Sequence, residues 1–329
     1  MEIIEVNKLK KTYEYHKKET GIKNSFKNLF DRKTLYNNAV KEISFTISKG
    51  EIVAFLGPNG AGKTTTLKLL SGILFPTSGT AKMMGYTPWE RKKEFKQRFS
   101  LVMAQKNQLW WDLPASESLI LNQYIYEIED KVFRRTINEL TEMLDVKHLL
   151  LVPVRKLSLG ERMKMEVVSS LVHKPEVILL DEPTIGLDLI AQRELRNFFK
   201  YYNQEYKTTI LITSHYMADI EYLCERSIII NEGNIVFDGK LSNLSDVYKT
   251  KKILTITLQN DFSDTLIDSI SSFGILREGS STSIVLEIGI ETLNECVSFL
   301  LNKLNITDFT VENVPIEDSI VEIYQRMRE

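Results

Sequence analysis

The sequence runs to 329 residues, 43% apolar and 26% charged, which excludes wholesale disorder, a collagen-like repeat and a small disulfide scaffold. Lys and Arg number 42 against 44 Asp and Glu, a net charge of −2, so no global basic field points to nucleic acid. Cys224 and Cys296 lie far apart and form no metal or redox spacing; they suit a reducing compartment and small core positions.

No stretch approaches the ~18 consecutive apolar residues that cross a bilayer. The acidic start Met1-Glu2-Ile3-Ile4-Glu5 lacks a signal-peptide pattern. The expectation is a cytoplasmic protein that reaches a membrane only through a partner.

In chain order, residues 2–6 and 43–56 read as strands rich in β-branched side chains, on either side of an irregular stretch. Residues 7–38 carry nine Lys and Arg against three Asp and Glu. Within the basic insertion, about residues 16–38, Phe26, Leu29 and Phe30 recur at i, i+3, i+4, the spacing of a short amphipathic helix. Such a helix suits either a solvated surface insertion or a contact with anionic headgroups or a membrane partner. Residues 51–72 read as strand, glycine loop and helix, and 99–103 as a further strand. Residues 114–173 are mostly helical. Val177–Leu180 is a short, wholly apolar run, as in the middle of a parallel sheet. Strands at 208–213 and 226–231 alternate with helices at 188–206 and 216–224, which is the pattern of a layered α/β domain. After about residue 245 the character changes. Ile253–Leu258 and Ser283–Ile288 alternate like half-buried strands, Thr292–Leu304 reads as a helix and Phe309–Val314 as a strand. This order suggests a small βαββαβ unit over 246–329, joined through Ser242–Lys252.

Gly57-Pro58-Asn59-Gly60-Ala61-Gly62-Lys63-Thr64 matches G-x-x-x-x-G-K-[ST] in full, between the strand Ile52–Leu56 and the helix that Thr65 opens. Glycines let backbone N–H groups turn inward around phosphate oxygens, and the helix N-terminus adds its positive end. Lys63 would reach the β- and γ-phosphates, and the Thr64 hydroxyl would hold Mg²⁺. Val177-Ile178-Leu179-Leu180-Asp181-Glu182 is an apolar strand ending in two acids. Asp181 would face the metal, and Glu182 would polarise an attacking water. Alone, the glycine loop says only that a nucleoside triphosphate binds.

Leu157-Ser158-Leu159-Gly160-Glu161 resembles the LSGGQ signature of ATP-binding-cassette ATPases. With the glycine loop, Asp181-Glu182, Ile185-Gly186-Leu187-Asp188 and Ile212-Thr213-Ser214-His215 in this order, residues 1–240 resemble that family throughout. The resemblance implies an α/β P-loop cassette over 1–245. Its parts would be a RecA-like core, an antiparallel β subdomain and a helical subdomain at about 106–173, followed by the small α+β unit. It implies a head-to-tail dimer with two ATP molecules in the seam. Each ATP would meet the phosphate loop of one chain and Ser158, Leu159, Gly160 and Glu161 of the other. It further implies that Gln105 contacts Mg²⁺ or water, that His215 contacts the γ-phosphate, and that Asp188 sits at the seam. Tyr13 would stack on adenine, with Tyr15 as its rival. Leu159 replaces the first glycine of the signature pattern and Glu161 its glutamine; Glu161 is expected to point away from phosphate.

A single cassette without a membrane span resembles the separate ATPase subunits of bacterial ABC transporters, which work beneath a permease. The segment from Val314 to Tyr324 resembles the C-terminal end of exporter-type subunits, and the insertion after the first strand resembles subunits that move large substrates. Trp110 and Trp111 are either permease-facing anchors or ordinary core side chains. A ribosome- or DNA-directed cassette is disfavoured, because such relatives carry two cassettes or long coiled coils, and the net charge gives nucleic acid no help. A nucleotide sensor without turnover is disfavoured by the intact Asp181-Glu182 pair and His215.

Overall fold

The computed structural model describes residues 1–16, 34–103, 106–246, 250–259, 270, 272–280, 282–315, 318 and 320. The Phe26, Leu29, Phe30 stretch, Gln105, and most of the C-terminal segment that resembles exporter subunits lie outside the described residues.

The first strands form a three-stranded antiparallel sheet. β1 (Glu2–His16) lies between β2 (Thr34–Ser48) and β4 (Ser78–Met83). The sequence led us to expect an irregular stretch over 7–38. Its described parts, 7–16 and 34–38, are instead the outer arms of the β1–β2 pair, with Tyr13 opposite Asn37 and His16 opposite Thr34. Backbone pairing holds these arms; apart from the buried Leu9 their side chains are mostly polar and exposed, so no apolar alternation announces them. The strand expected over 43–56 is also broken. Gly50, at φ 79°, turns the chain between β2 and β3 (Ile52–Leu56).

The central sheet has six strands in the order β5-β6-β7-β3-β8-β9. After β3 come α1 (Lys63–Leu70), α2 (Lys93–Lys96) and β5 (Phe99–Met103). The helical region holds α3 (Ala115–Ile125), α4 (Asp130–Met143) and α5 (Leu159–Leu171). The chain returns through β6 (Val177–Asp181), α6 (Leu189–Tyr206), β7 (Thr209–Thr213), α7 (Met217–Leu223), β8 (Arg226–Asn231) and β9 (Asn234–Lys240). β5, β6, β7, β3 and β8 pair in parallel. Every residue of β6 and β7 is buried, as befits strands covered on both faces. The carboxyl ends of β3, β7 and β6 therefore lie side by side, the usual ligand edge of such a sheet.

Contacts divide the chain into two units, Met1–Gly239 and Lys240–Glu329, so the division falls after 239 where the sequence suggested 245. The short helix α8 (Leu241–Asp246) belongs to the second unit. That unit holds a four-stranded antiparallel sheet in the order β11-β12-β10-β13. Its elements are β10 (Lys251–Leu258), β11 (Gly274–Ser280), β12 (Ser283–Gly289), α9 (Ile290–Lys303) and β13 (Ile306–Asn313). The first helix of the expected βαββαβ order falls on residues outside the described ones. Leu254, Ile256, Leu286, Ile288, Cys296 and Leu300 form its core.

One side chain joins α5 to the central sheet. His173, just past α5, puts Nε2 3.0 Å from the Phe99 carbonyl oxygen, and its ring stacks on Tyr126 at 3.9 Å. Nε2 must carry the proton that the carbonyl accepts. That leaves Nδ1 unprotonated, sealed from solvent and without a partner. A second proton would bury an unpaired donor, and burial accordingly pushes the His173 pKa down to about 4. As pH falls below the ordinary histidine value, the unfolded chain takes up a proton that the folded chain refuses, so stability falls with pH between about 6.5 and 4. We predict that between pH 7 and 4 the native protein loses about 3 kcal/mol more stability than a His173→Phe variant. Urea denaturation at stepped pH checks this, and parallel pH profiles would refute it.

Candidate active site

The phosphate-loop candidates lie where β3 meets α1. Two glycines of the loop leave no room for a side chain. Gly62 has φ 112°, and a Cβ there would sit 2.4 Å from the Ala39 carbonyl oxygen; one at Gly57 would sit 2.3 Å from that of Ile230. The loop is thus pressed between β2 and the end of β8. Lys63 is 6% exposed and donates to the carbonyl oxygens of Gly57 at 2.6 Å and Pro58 at 3.2 Å. Burial lowers its pKa, against the opposing pull of Glu182 and Asp181.

Asp181 ends β6, and both its carboxylate oxygens accept hydroxyl bonds. Thr64 donates to Oδ2 at 2.9 Å and Thr213 to Oδ1 at 2.9 Å. A hydroxyl and a carboxylate side by side are the hard oxygen donors that Mg²⁺ takes when it also holds phosphate and water. The residues present fit such an ion. Among the described residues no cluster of three or more His, Cys, Asp or Glu forms a metal cage of its own.

Glu182 leaves the strand with φ 55°, a left-handed backbone that a residue with a side chain adopts only at a cost of roughly 1–3 kcal/mol. Its N–H is held at 3.1 Å by both the carbonyl and the hydroxyl oxygen of Thr213. This bend brings the Glu182 carboxylate to His215, whose Nε2 lies 2.8 Å from Oε1. Beside them runs a cavity of about 260 Å³ lined by Tyr13, Asn37, Ala39, the loop from Asn59 to Thr65, and Glu182. Tyr13 is in that wall; Tyr15, two residues further along β1, is half exposed.

The signature residues lie elsewhere in the chain. Ser158 caps α5 in a reciprocal pair. Its Oγ accepts from the Glu161 N–H at 3.3 Å, and Glu161 Oε2 accepts from the Ser158 N–H at 2.8 Å. Glu161 is thereby folded back along its own helix, and that bond to Ser158 holds its carboxyl below the ordinary range. Leu159 is 40% exposed. Gly160 is buried against α6, where a Cβ would meet that of Ala191 at 3.0 Å. Asp188 caps α6, accepting from Ile190 and Ala191 N–H at 2.9 Å each. None of Ser158, Leu159, Gly160, Glu161 or Asp188 lines the cavity within this chain.

Several residues escaped the sequence reading. Asn37 and Ala39 come from the polar arm of β2, which carries no motif. Thr213 stood in the quoted run beside His215, and its hydroxyl was the available signal. Asp219 is fully buried and accepts from Ser214 Oγ at 2.9 Å, Arg196 Nη1 at 2.9 Å and the Thr184 hydroxyl. It thus binds a neighbour of Glu182 and a neighbour of His215 to one carboxylate. Its signal was an acid four residues past the histidine, on the apolar side of a short helix.

A family profile described as "ABC transporter" matches residues 40–185. The chain is 32% identical over 224 residues to the ABC transporter ATP-binding protein NatA of Bacillus subtilis (strain 168), covering 68% of this chain and 91% of that one. It is 33% identical over 222 residues to the bacitracin transport ATP-binding protein BcrA of Bacillus licheniformis, covering 68% of this chain and 71% of the relative. A solved ATP-binding subunit of an ABC transporter shares the fold at a TM-score of 0.62 and 23% identity, over 75% of this chain and 93% of that one. Identity of 32% over nine-tenths of such a relative is common descent, and the chain belongs to the ABC transporter family as one of its ATP-binding, ATP-hydrolysing subunits.

Proposed function

We propose that two copies of this chain close head to tail around two ATP molecules and drive a separate integral membrane permease. In this reading Gly57, Pro58, Asn59, Gly60, Ala61, Gly62, Lys63, Thr64 and Thr65 cradle the phosphates with backbone N–H groups and the Lys63 ammonium. Tyr13 stacks on the adenine. Thr64 and Asp181, with Gln105, hold Mg²⁺, which when bound neutralises charge on the β- and γ-phosphates. Glu182 orients and polarises the attacking water, and His215 steadies Glu182 and meets the γ-phosphate. Ser158, Leu159, Gly160 and Glu161 of the partner copy supply the facing wall, and Asp188 lies at the seam.

The observation that carries this reading is the split between cavity and signature. The cavity has a phosphate loop, an aromatic wall and the Glu182 carboxylate, to which His215 is bonded, yet its wall lacks Ser158. The capped N-terminus of α5 meanwhile offers donors to an anion that its own chain does not bring to it. ATP then acts as the bond between copies, and its hydrolysis removes the bond. Glu161 has its Oε2 engaged by the Ser158 N–H of its own chain, so its carboxylate is tied into the cap.

Among the described residues no helix is long and apolar enough to cross a membrane. We place the subunit on the inner face of the cell membrane, held there by the permease. Trp110 and Trp111 are 49% and 47% exposed and supply the apolar anchors for that contact. Export is favoured over import by the resemblance of the segment from Val314 to Tyr324 to exporter-type subunits.

Replacing Glu182 by Gln removes the base but keeps the volume. We expect steady-state phosphate release to fall at least ~100-fold, with ATP affinity kept and an ATP-dependent dimer accumulating in light scattering; unchanged turnover would refute the assignment. Lys63→Ala should weaken ATP binding at least ~10-fold in equilibrium titration, since a charge-assisted phosphate contact is lost. An unchanged affinity would remove Lys63 from the phosphate site.

A further inference from the structure

α5 turns an apolar face to the interior, with Met163, Met165, Val167, Val168 and Leu171 buried. Glu166 is buried among them, 4% exposed. A carboxylate is a costly choice where an aliphatic side chain would pack, and burial pushes the Glu166 pKa upward. Its oxygens are not idle. Both accept the Gln108 N–H at 3.0 Å, and Oε1 also accepts the Leu109 N–H at 3.3 Å. Two successive backbone donors converge on one group, which suits an acceptor-only carboxylate; an amide in its place would set its NH₂ against the Gln108 N–H, which lies 3.0 Å from both oxygens.

The segment that Glu166 grips leads directly into the two exposed tryptophans. Trp110 N–H is held by Ser118 Oγ at 2.9 Å. The Trp111 carbonyl accepts from the Arg155 N–H at 3.0 Å, and the Arg162 guanidinium lies 5.4 Å from the Trp111 ring centre. Arg155 precedes Ser158; Arg162 and Glu166 follow it on α5. The tryptophan segment is therefore fastened to the chain on both sides of the signature serine.

We infer that Glu166 is a positioning residue that locks the Trp110–Trp111 segment to the signature helix, so that the exposed tryptophan face and the Ser158 end of α5 move as one body. The inference rests on the proposed function, in which Ser158 meets ATP and the tryptophans meet the permease. It adds the side chain that makes those two surfaces mechanically one. Remove the carboxylate and ATP still binds, but the tryptophan face no longer follows it.

The test uses the full chain carrying Trp89→Phe, which leaves Trp110 and Trp111 as the emitting residues, and Glu182→Gln, which retains bound nucleotide. MgATP is the probe. We expect MgATP to shift the tryptophan emission of this parent. Adding Glu166→Gln should keep ATP affinity within about 2-fold and cut that shift to less than about a third, as a broken coupling with intact binding requires. A full shift in the Glu166→Gln protein would overturn the inference. So would a parent that binds ATP with no shift, and in that case the ATPase reading stands. A parent that does not bind ATP would remove both. Should Glu166→Gln fail to fold, amide exchange on the parent decides: the amides of 108–109 and of 158–161 should change together on adding MgATP, and a change confined to one segment would overturn the inference.

Discussion

Both oxygens of the Asp181 carboxylate are occupied, one by Thr64 at the start of α1 and one by Thr213 at the end of β7. Two neighbouring strand ends and the start of a helix meet at this 8% exposed group. Through Thr64 it sets the helix that follows the phosphate loop, and through Thr213 it sets the backbone that holds Glu182. Glu182 can keep its left-handed bend because Thr213 takes its N–H twice, and the bend in turn delivers the carboxylate to His215. The site's geometry is therefore a consequence of the parallel sheet, whose buried strands fix where the ends fall.

A second set of bonds governs the other end of the chemistry. Ser158 and Glu161 satisfy each other's backbone donors, Gly160 allows α5 to lie against α6, and Asp188 caps α6 at that contact. These groups form a rigid surface with its own helix terminus, separate from the cavity of the same chain. Asp219 performs the equivalent bracing inside the site, gathering Ser214, Arg196 and Thr184 onto one buried carboxylate. Two well-braced half-sites that do not meet within a chain are the physical basis for reading the protein as an ATP-closed pair.

Much of this was written in local pattern. The glycine loop is legible because Gly57 and Gly62 stand where any Cβ would strike backbone, and because an apolar strand precedes them. Val177–Asp181 is legible as a doubly covered strand, since nothing polar interrupts it until its end. What escaped the sequence depends on tertiary partners. The outer arms of β1 and β2 are mostly polar and are held by ladder bonds and by side-chain bonds to residues distant in sequence, such as Thr12 to Asn38 and Thr77, so they read as an irregular stretch. Glu161 looked like a departure from the signature and proves to be half of a capping pair, a pattern of Ser followed three residues later by Glu that was present in the sequence. Glu166, His173 and Asp219 are polar residues inside apolar faces. Their partners, Gln108, Phe99 and Arg196 among them, become neighbours only once the helices dock. The division of the chain shifted from 245 to 239 because a short helix continues from β9 without any compositional break.

The central claim is that the nucleotide cleft is finished by a second chain, and disulfide trapping tests it most directly. Asn59 and Ser158 would be replaced by Cys in one Glu182→Gln chain. The native Cys224 and Cys296 are buried and leave little background. Oxidation with MgATP present should join Cys of one copy to Cys of the other and give a covalent dimer on a non-reducing gel, with little product when ATP is withheld. Loss of both introduced thiols in a band that stays monomeric would mean that each chain closes its own cleft, and would contradict the account.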